Sequence, residues 1–269
     1  MPTASNGSVS LYYEVDGGAG EPGGGGDHPE TVAFVTEAGL GGWSWGWQYE
    51  HLAGPFRTVV WDPRGTGRSD APSEPADLET LVSDLEAVLR DCGVRNAHLV
   101  GAGLGGAVAL EAARTTNRAK TLTLFGAAPR AGAFDLEALY APPDDREALR
   151  ESLESALSPE FRAEQPEVVD GIVDWRADGD ALPEGWETQV AALEGWDARR
   201  RLVEVTQPSL VFHGTADEIV PAEAGRELAF GLPRGEFVPL EGAGHLCFVE
   251  RSRAVNDRLF GFLEEHAGD

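Results

Sequence analysis

The sequence predicts an α/β fold, a mostly parallel sheet flanked by helices. Short runs rich in β-branched residues alternate with amphipathic helical stretches, a pattern typical of a parallel sheet covered by helices. One of these runs, at 97–100, passes directly into a glycine-rich turn and then into an alanine-rich helix. Because a chain of 269 residues can bury one sizeable core, we expect a single domain with room for an inserted lid.

The predicted elements follow in chain order. Strands are predicted from short β-branched or alternating runs at 9–15, 31–36, 58–61, 97–100, 121–125, 209–212 and 236–240. The stretch 17–26 is glycine-rich and predicts a flexible loop. Helices are predicted at 78–89, with Leu81, Leu85 and Val88 on one apolar stripe, from the glycine-rich turn to about residue 114, and at 252–265.

The alternation of strands and helices stops between residues 127 and 201. This stretch holds acidic helices, several prolines and the tryptophans Trp175, Trp186 and Trp196. We therefore predict a core of residues 1–126 and 202–269 and a helical lid of residues 127–201. An insertion there lies over the carboxyl ends of the strands, where open α/β sheets bind ligands. The alternative is a helical surface layer that its tryptophans anchor to the core.

The chain is strongly acidic, with 46 Asp and Glu against 21 Lys and Arg and a net charge of −25. Lys120 is the single lysine. This composition resembles that of proteins from salt-loving organisms, because screened carboxylates stay hydrated. The alternative is an acidic protein from a GC-rich genome. Either way nucleic acid is an unfavourable partner, since its phosphates meet a repulsive field.

The sequence also limits cofactors and location. No apolar run approaches the roughly 20 residues of a membrane helix, and no secretory signal precedes the first strand, so we expect a cytoplasmic protein. Cys92 and Cys247 do not suggest a disulfide framework, and no ligand spacing indicates a metal. The glycine-rich run at 101–106 follows a late strand, so it does not predict a dinucleotide site. We expect no cofactor, and the oligomeric state is left open.

Four motifs occur in a fixed order. They are Gly-Leu-Gly-Gly at 39–42, Asp-Pro-Arg-Gly-Thr-Gly-Arg-Ser at 62–69, Gly-Ala-Gly-Leu-Gly at 101–105, and Gly-Thr-Ala-Asp at 214–217 followed by Gly-His at 244–245. Together they resemble the α/β-hydrolase superfamily along essentially the whole chain. The resemblance implies an oxyanion-hole loop at the first motif, a strand-to-helix nucleophile elbow at the third, and acid and base segments at the fourth.

The resemblance assigns roles to particular residues. His245 matches the base and Asp217 the acid, and backbone N–H groups near Leu40 and Leu104 match the oxyanion hole. Gly103 stands at the apex of the elbow, where the working enzymes carry a serine. Glycine has no side chain with which to attack a carbonyl, so the nucleophile position is vacant. Alternative nucleophiles are Thr36, Ser44 and Cys247, although none of them lies on an elbow-like turn.

Glu37 precedes the oxyanion loop, and its direction is open at this stage. Facing solvent or pairing with an arginine, it has no catalytic consequence. Pointing into the hole, its carboxylate repels a developing oxyanion. Facing the pocket from the side, it is a candidate general acid or base.

Three functions follow from these residues. The first is an enzyme, of hydrolase or lyase type, that acts on a small apolar carbonyl or ester-type substrate through a His245–Asp217 general-base dyad without a serine. The second is a non-catalytic protein that binds a small ligand or a partner. The third is an ordinary esterase or lactonase with an unrecognised nucleophile. Trp43, Trp175 and Trp186 suggest apolar, aromatic walls for the ligand site, although they equally fit packing of the lid on the core.

Overall fold

A computed structural model describes residues 2–17, 30–71 and 75–267 of the chain. Within those residues there are eight strands, β1 Thr3–Asn6, β2 Val9–Asp16, β3 Thr31–Val35, β4 Arg57–Trp61, β5 Ala97–Ala102, β6 Ala119–Phe125, β7 Ser209–Gly214 and β8 Gly235–Leu240. They form one sheet in the order β1-β2-β4-β3-β5-β6-β7-β8. β1 and β2 are antiparallel to their neighbours, and β3 to β8 run parallel.

Helices cover the sheet, and this confirms the predicted fold class. The central strands β3 and β5 are buried along their whole length, as expected where helices cover both faces of a parallel sheet. The helices are α1 Gly46–Leu52, α2 Leu78–Asp91, α3 Leu104–Thr115, α4 Arg146–Ala156, α5 Pro159–Glu164, α6 Pro166–Gly179, α7 Pro183–Ala191, α8 Ala222–Gly231, α9 Cys247–Glu250 and α10 Ser252–Glu265.

The predicted strands each coincide with an observed strand to within a few residues, and α10 has the predicted bounds. The prediction missed β1, which is only four residues long and pairs with β2 across a turn at Gly7. The predicted glycine-rich loop at 17–26 lies, beyond Gly17, outside the described residues. None of the helices in the described parts of the chain is long and apolar enough to cross a membrane.

Four helices, α4 to α7, lie between β6 and β7 in the stretch for which we predicted a lid. They dock on the core through buried polar groups as well as apolar ones. The Arg176–Asp180 ion pair is buried, and the Asp180 carboxylate accepts from Gly41 N–H at 3.3 Å and from Trp43 Nε1–H at 2.8 Å. The insertion is therefore attached directly to the loop that follows β3.

Candidate active site

The turn between β5 and α3 is built on glycine. Gly103 has φ +47° and ψ −112°, and positive φ is a conformation that a residue with a side chain adopts only at a cost. Gly105, two residues on, packs against the backbone carbonyls of Val35 and Thr36, and a Cβ there would overlap with them. Without a side chain at 105, the start of α3 comes close to the end of β3. The loops after β3 and β5 thus meet at Gly103.

Glu37 fills the space beside Gly103. Its side chain is buried, with the residue 1% exposed, and a Cβ built on Gly103 would overlap with its carboxylate. One carboxylate oxygen, Oε1, accepts from Ala38 N–H at 2.6 Å and Leu104 N–H at 2.8 Å. The other, Oε2, lies 2.9 Å from His245 Nε2. A carboxylate from the β3 loop therefore occupies the volume of an elbow side chain.

His245 and Asp217 form the contact that the resemblance implies. Asp217 Oδ2 lies 2.9 Å from His245 Nδ1. Asp217 Oδ1 accepts from Ile219 N–H at 2.9 Å and Val220 N–H at 2.8 Å, so the carboxylate is fixed by its own turn. A second imidazole, His213, places Nε2 3.2 Å from Asp217 Oδ2 and 2.8 Å from the Val220 carbonyl. Glu37, His245 and Asp217 thus form a continuous buried chain.

The charges of the neighbouring side chains determine the protonation of His245. Burial lowers the pKa of the imidazole, but the Asp217 charge and hydrogen bond, with the Glu37 hydrogen bond and charge, outweigh it and raise the pKa to about 10. Burial by itself raises the pKa of Asp217, yet His245 and His213 bring it well below its usual range. At neutral pH the ring is therefore an imidazolium between two carboxylates.

The two predicted oxyanion-hole donors have different positions. Leu104 N–H points into the site, where it donates to Glu37 Oε1. The prediction for Leu40 is wrong in this structure, because its N–H donates to the backbone carbonyl of Glu37 at 3.2 Å in a tight turn. Ala38 N–H supplies the second donor in its place. The predictions that Glu37 faces solvent or pairs with an arginine are also wrong, since it points into the hole and towards His245.

The inserted helices contact this loop through one buried amide. Gln189 of α7 accepts from Gly39 N–H at 2.8 Å, and its amide nitrogen donates to the Arg64 carbonyl and Thr66 Oγ1, both at 2.8 Å. Gly39 makes a second hydrogen bond to the inserted stretch, in which its carbonyl accepts from Ala181 N–H at 2.8 Å. The loop after β3 is thus held on its outer side by the inserted helices.

The three tryptophans predicted to bind ligand do not share one site. Trp186 stacks on Tyr140, with ring centroids 4.3 Å apart, over Gly39. It also lines a cavity of about 530 Å³ between α7 and the loop after β6, and the described lining of this cavity likewise includes neither Glu37 nor His245. Trp43 and Trp175 line a different groove, about 580 Å³, whose described lining includes neither Glu37 nor His245. Trp186 contacts the loop that carries Glu37 at Gly39, and Trp43, which directly follows this loop, lies beside Gly41.

The other candidate nucleophiles are poorly placed. Ser44 Oγ donates to the Gly41 carbonyl at 3.0 Å. Cys247 is buried at the start of α9, where burial and the Asp217 and Glu250 charges raise the pKa of its thiol far above the usual range. Thr36 Oγ1 is buried without a hydrogen-bond partner. None of the three contacts His245 through a hydrogen bond among those of the described residues.

Sequence reasoning missed three residues of the site. The sequence did not predict a role for Gln189 or His213, because neither residue lies in one of the four motifs. Glu250 holds the loop of the histidine, since its Oε1 accepts from Gly244 N–H at 2.8 Å and Ser158 N–H at 2.9 Å. A search of the described residues for three or more His, Cys, Asp or Glu side chains arranged to hold a metal found no such group.

The parallel sheet, the tight turn after β5 and the Asp–His contact at its edge define a hydrolase-type α/β protein. The alpha/beta hydrolase family model matches residues 23–258. The chain is similar to a 2-hydroxy-6-oxononadienedioate/2-hydroxy-6-oxononatrienedioate hydrolase of Paraburkholderia phymatum, at 29% identity over 95% of this chain and 91% of that one. The chain therefore belongs to the alpha/beta hydrolase family.

Two solved structures extend the comparison. The enol-lactonase from Burkholderia xenovorans LB400 superposes with a TM-score of 0.85 at 25% identity and covers 98% of this chain and 100% of its own. A thermophilic esterase from Thermogutta terrifontis gives 0.80 at 25% identity, over 98% and 97% of the two chains. These similar proteins support an enzyme on a hydrolase fold.

Proposed function

We propose that this protein is a hydrolase for small, neutral, apolar substrates of the carbonyl or ester type, and that it works without a serine. Its catalytic centre consists of the three hydrogen-bonded side chains of Glu37, His245 and Asp217, and Gly103 stands at the position of the missing nucleophile. The observation that carries the proposal is the 2.9 Å contact from Glu37 Oε2 to His245 Nε2, opposite the 2.9 Å contact to Asp217.

The centre can move a proton without a hydroxyl nucleophile. His245 carries the proton in the resting state, and Glu37 supplies the basic oxygen next to it. When a water molecule is deprotonated, the Glu37–His245 pair takes the proton and Asp217 keeps the ring in orientation. Positioned acid–base catalysis of this kind contributes roughly 10²–10⁴-fold to the rate. The dyad expected from the sequence thus becomes a three-residue system.

The cavity beside Trp186 supports the substrate class by its walls and by its position next to Gly39, while Glu37 and His245 are not part of its described lining. Its lining includes the apolar side chains of Phe134, Leu136 and Val190, together with four acidic residues, Asp135, Glu137, Glu187 and Glu194. These negative charges repel an anionic substrate, whereas a neutral apolar molecule meets no electrostatic repulsion when it enters the cavity. Its volume of about 530 Å³ suits a small molecule.

A second function, a non-catalytic ligand-binding protein, is favoured by one observation. Glu37 and His245 are each 1% exposed, and both N–H donors beside Gly103 already bind Glu37. An oxyanion hole filled by the protein's own carboxylate is closed to the oxygen of a substrate ester. The following experiment separates the two functions.

Turnover is measured on short p-nitrophenyl acyl esters and a lactone in about 2 M KCl, which screens the acidic surface. We compare the native protein, His245→Ala and the matched control His51→Ala, whose imidazole is exposed on α1. We expect turnover of at least one substrate, with a loss of about 10²-fold or more in His245→Ala only. Equal turnover in all three proteins contradicts the catalytic role of His245, and no turnover in the native protein contradicts the proposal and favours the binding function.

The high-salt condition follows from the composition. We propose that the protein is adapted to concentrated salt, because 46 acidic residues face only 21 Lys and Arg.

A further inference from the structure

We propose that the groove between α1 and α6 is a second ligand site, and that it binds a small organic cation of the methylated ammonium type. This is the groove of about 580 Å³ that Trp43 and Trp175 line, together with Trp47, and it is called the tryptophan groove from here on. Its described lining includes neither Glu37 nor His245, so the site is separate from the proposed catalytic centre.

Two helical faces supply the lining of the tryptophan groove. On each face the residues follow one another at intervals of three or four, the spacing at which side chains share one side of a helix. One face belongs to α1 and the short turn Gly42–Trp45 that leads into it, and the other belongs to α6. The residues are Trp43, Trp47 and Glu50 on the first face and Glu167, Gly171 and Trp175 on the second.

The three indoles form aromatic walls. The ring centroid of Trp175 lies 6.2 Å from that of Trp43 and 5.7 Å from that of Trp47, and the planes of Trp47 and Trp175 are inclined at 77°. Trp43 is held in place, because its Nε1–H donates to Asp180 at 2.8 Å. Trp175 remains 45% exposed, so its indole is accessible to a ligand. The negative faces of such rings attract a cation.

The charges of the tryptophan groove also favour a cation. Glu50 and Glu167 both line it, and neither carboxylate has a hydrogen-bond or ion-pair partner among the described residues. The described lining contains no lysine or arginine. An anion is repelled by the two carboxylates, and a neutral molecule gains nothing from them. A cation interacts favourably with the carboxylates and with the rings.

A neighbouring groove, which shares Trp43 with this one, contains the same combination of groups with a cation in place. There the Arg68 guanidinium lies 3.5 Å from the centroid of the Tyr12 ring and 3.0 Å from Glu14. The protein itself thus supplies the cation for that ring and that carboxylate. In the tryptophan groove no residue of the described lining supplies one, and a ligand takes this place.

Two glycines keep the tryptophan groove open. A Cβ on Gly46, at the start of α1, would meet no other atom within 4 Å. A Cβ on Gly171, inside α6, would make only an ordinary contact with Trp175, at 3.6 Å. Glycine within a helix is less stable than alanine, and packing does not require it at either position. The missing side chains therefore leave room for a ligand.

The lining favours a methylated ammonium over a primary one. A primary ammonium is strongly hydrated and needs acceptors for its three N–H groups. A quaternary ammonium has no N–H group to satisfy, and its methyl groups pack on indole rings while its charge interacts with their faces. The apolar side chain of Val168, which also lines the groove, adds to this methyl-binding surface.

The test compares choline with its neutral carbon analogue, in which a carbon atom replaces the quaternary nitrogen. Binding to the full-length protein is measured from the NMR line width of the methyl protons in about 2 M KCl, where diffuse attraction to the acidic surface is screened. We expect the Kd of choline to be lower than that of the analogue by about 5-fold or more. Because the two molecules have the same shape, this ratio reports the effect of the charge.

Variants locate the bound choline. We expect Trp175→Leu, which removes an aromatic wall, and Gly46→Leu, which fills the groove, each to raise the Kd by about 5-fold or more. The matched controls are Phe230→Leu, whose ring is exposed on α8, and Glu79→Gln, whose carboxylate is exposed on α2. Both should keep the native Kd. Circular dichroism checks that each variant is folded.

Equal affinity for choline and its neutral analogue would overturn the proposal, because the groove would then be only an apolar surface. A native Kd in Trp175→Leu would also overturn it, since choline would be bound elsewhere on the acidic surface. Phosphatidylcholine vesicles form the last comparison. Co-sedimentation with these vesicles in the absence of binding to free choline would assign the groove to a membrane surface and contradict a small cation. None of these measurements depends on hydrolase activity, so the proposed function is tested separately.

Discussion

The Glu37 carboxylate and any side chain at Gly103 compete for one volume. A Cβ at Gly103 would overlap with the Glu37 carboxylate, and the same carboxylate bridges Leu104 N–H and His245 Nε2. The glutamate and the glycine are therefore one feature of the molecule, although the residues lie on different strand-end loops. Changing one of them alters what the other does.

The first prediction concerns a serine at the elbow. We expect Gly103→Ser alone to show no gain of activity on p-nitrophenyl esters, because Glu37 occupies both the space of the hydroxyl and the N–H donors. The double variant Gly103→Ser/Glu37→Ala frees both, and we expect a gain of about 10²-fold or more. The gain should vanish when His245→Ala is added. Activity in Gly103→Ser without the second change would contradict the placement of Glu37.

The second prediction concerns stability at the same pair. Gly103→Ala places a Cβ at φ +47° and against the carboxylate. Backbone strain at such a position costs about 1–3 kcal/mol, and displacement of the carboxylate adds to it. In a Glu37→Ala background only the strain remains. Urea unfolding is measured for the native protein, the two single variants and the double variant. We expect a coupling of about 0.5–3 kcal/mol between the two changes in the free energy of unfolding, and strictly additive effects would exclude the overlap.

The third prediction is a pH dependence above neutrality. The pKa of His245 is about 10 in the folded protein against an ordinary 6.5. Its contribution to the free energy of unfolding is complete below about pH 6.5 and is lost as pH rises to about 10, at up to about 1.4 kcal/mol per pH unit. Urea unfolding between about pH 7 and about pH 9 measures this slope.

Glu37→Gln is the informative comparison for that slope, because it removes one of the two carboxylates that raise the pKa of His245. We expect a shallower slope in this variant and an unchanged one in Glu79→Gln. His98 does not interfere in this range, since burial lowers its pKa to about 4. The same pH slope in the native protein, Glu37→Gln and Glu79→Gln would show that Glu37 does not raise the pKa of His245.

The fourth prediction concerns the contact between α7 and the loop after β3. Gln189→Leu keeps the side-chain size but leaves Gly39 N–H, the Arg64 carbonyl and Thr66 Oγ1 without their partner. Buried unpaired groups cost about 1–3 kcal/mol each, and relaxation of the loop recovers part of this. We expect a loss of about 2–4 kcal/mol in urea unfolding and faster hydrogen exchange in α7. The control Glu184→Gln, exposed on the same helix, should change neither.

The fifth prediction concerns salt. With a net charge of −25, the folded chain repels itself, and screening relieves this repulsion. We expect the midpoint of urea unfolding to rise steadily between about 0.1 and about 2 M KCl. Sucrose at matched osmolality is the control, since it excludes itself from the surface without screening charge. A rise of equal size in sucrose would remove the electrostatic explanation.

The pattern of apolar residues is sufficient to predict the fold class. The apolar runs that form the buried strands β3 and β5, and the apolar stripe of α2, each indicate their element from local sequence. The site was predictable only where a motif fixes the backbone: His245 and Asp217 do meet, and Leu104 N–H does face the site. The direction of Glu37 was not, because the residue after a buried strand can turn either way. Gln189 lies 150 residues from Gly39, a distance over which no local pattern operates.

The shared volume of Glu37 and Gly103 also restricts the mutational routes open to this protein. A serine introduced at 103 alone meets the carboxylate, and removal of Glu37 alone leaves His245 Nε2 without this partner. A serine at 103 and the Glu37 carboxylate exclude one another, so exchange of one arrangement for the other requires both positions to change together. The arrangement, once acquired, is therefore hard to leave by single substitutions.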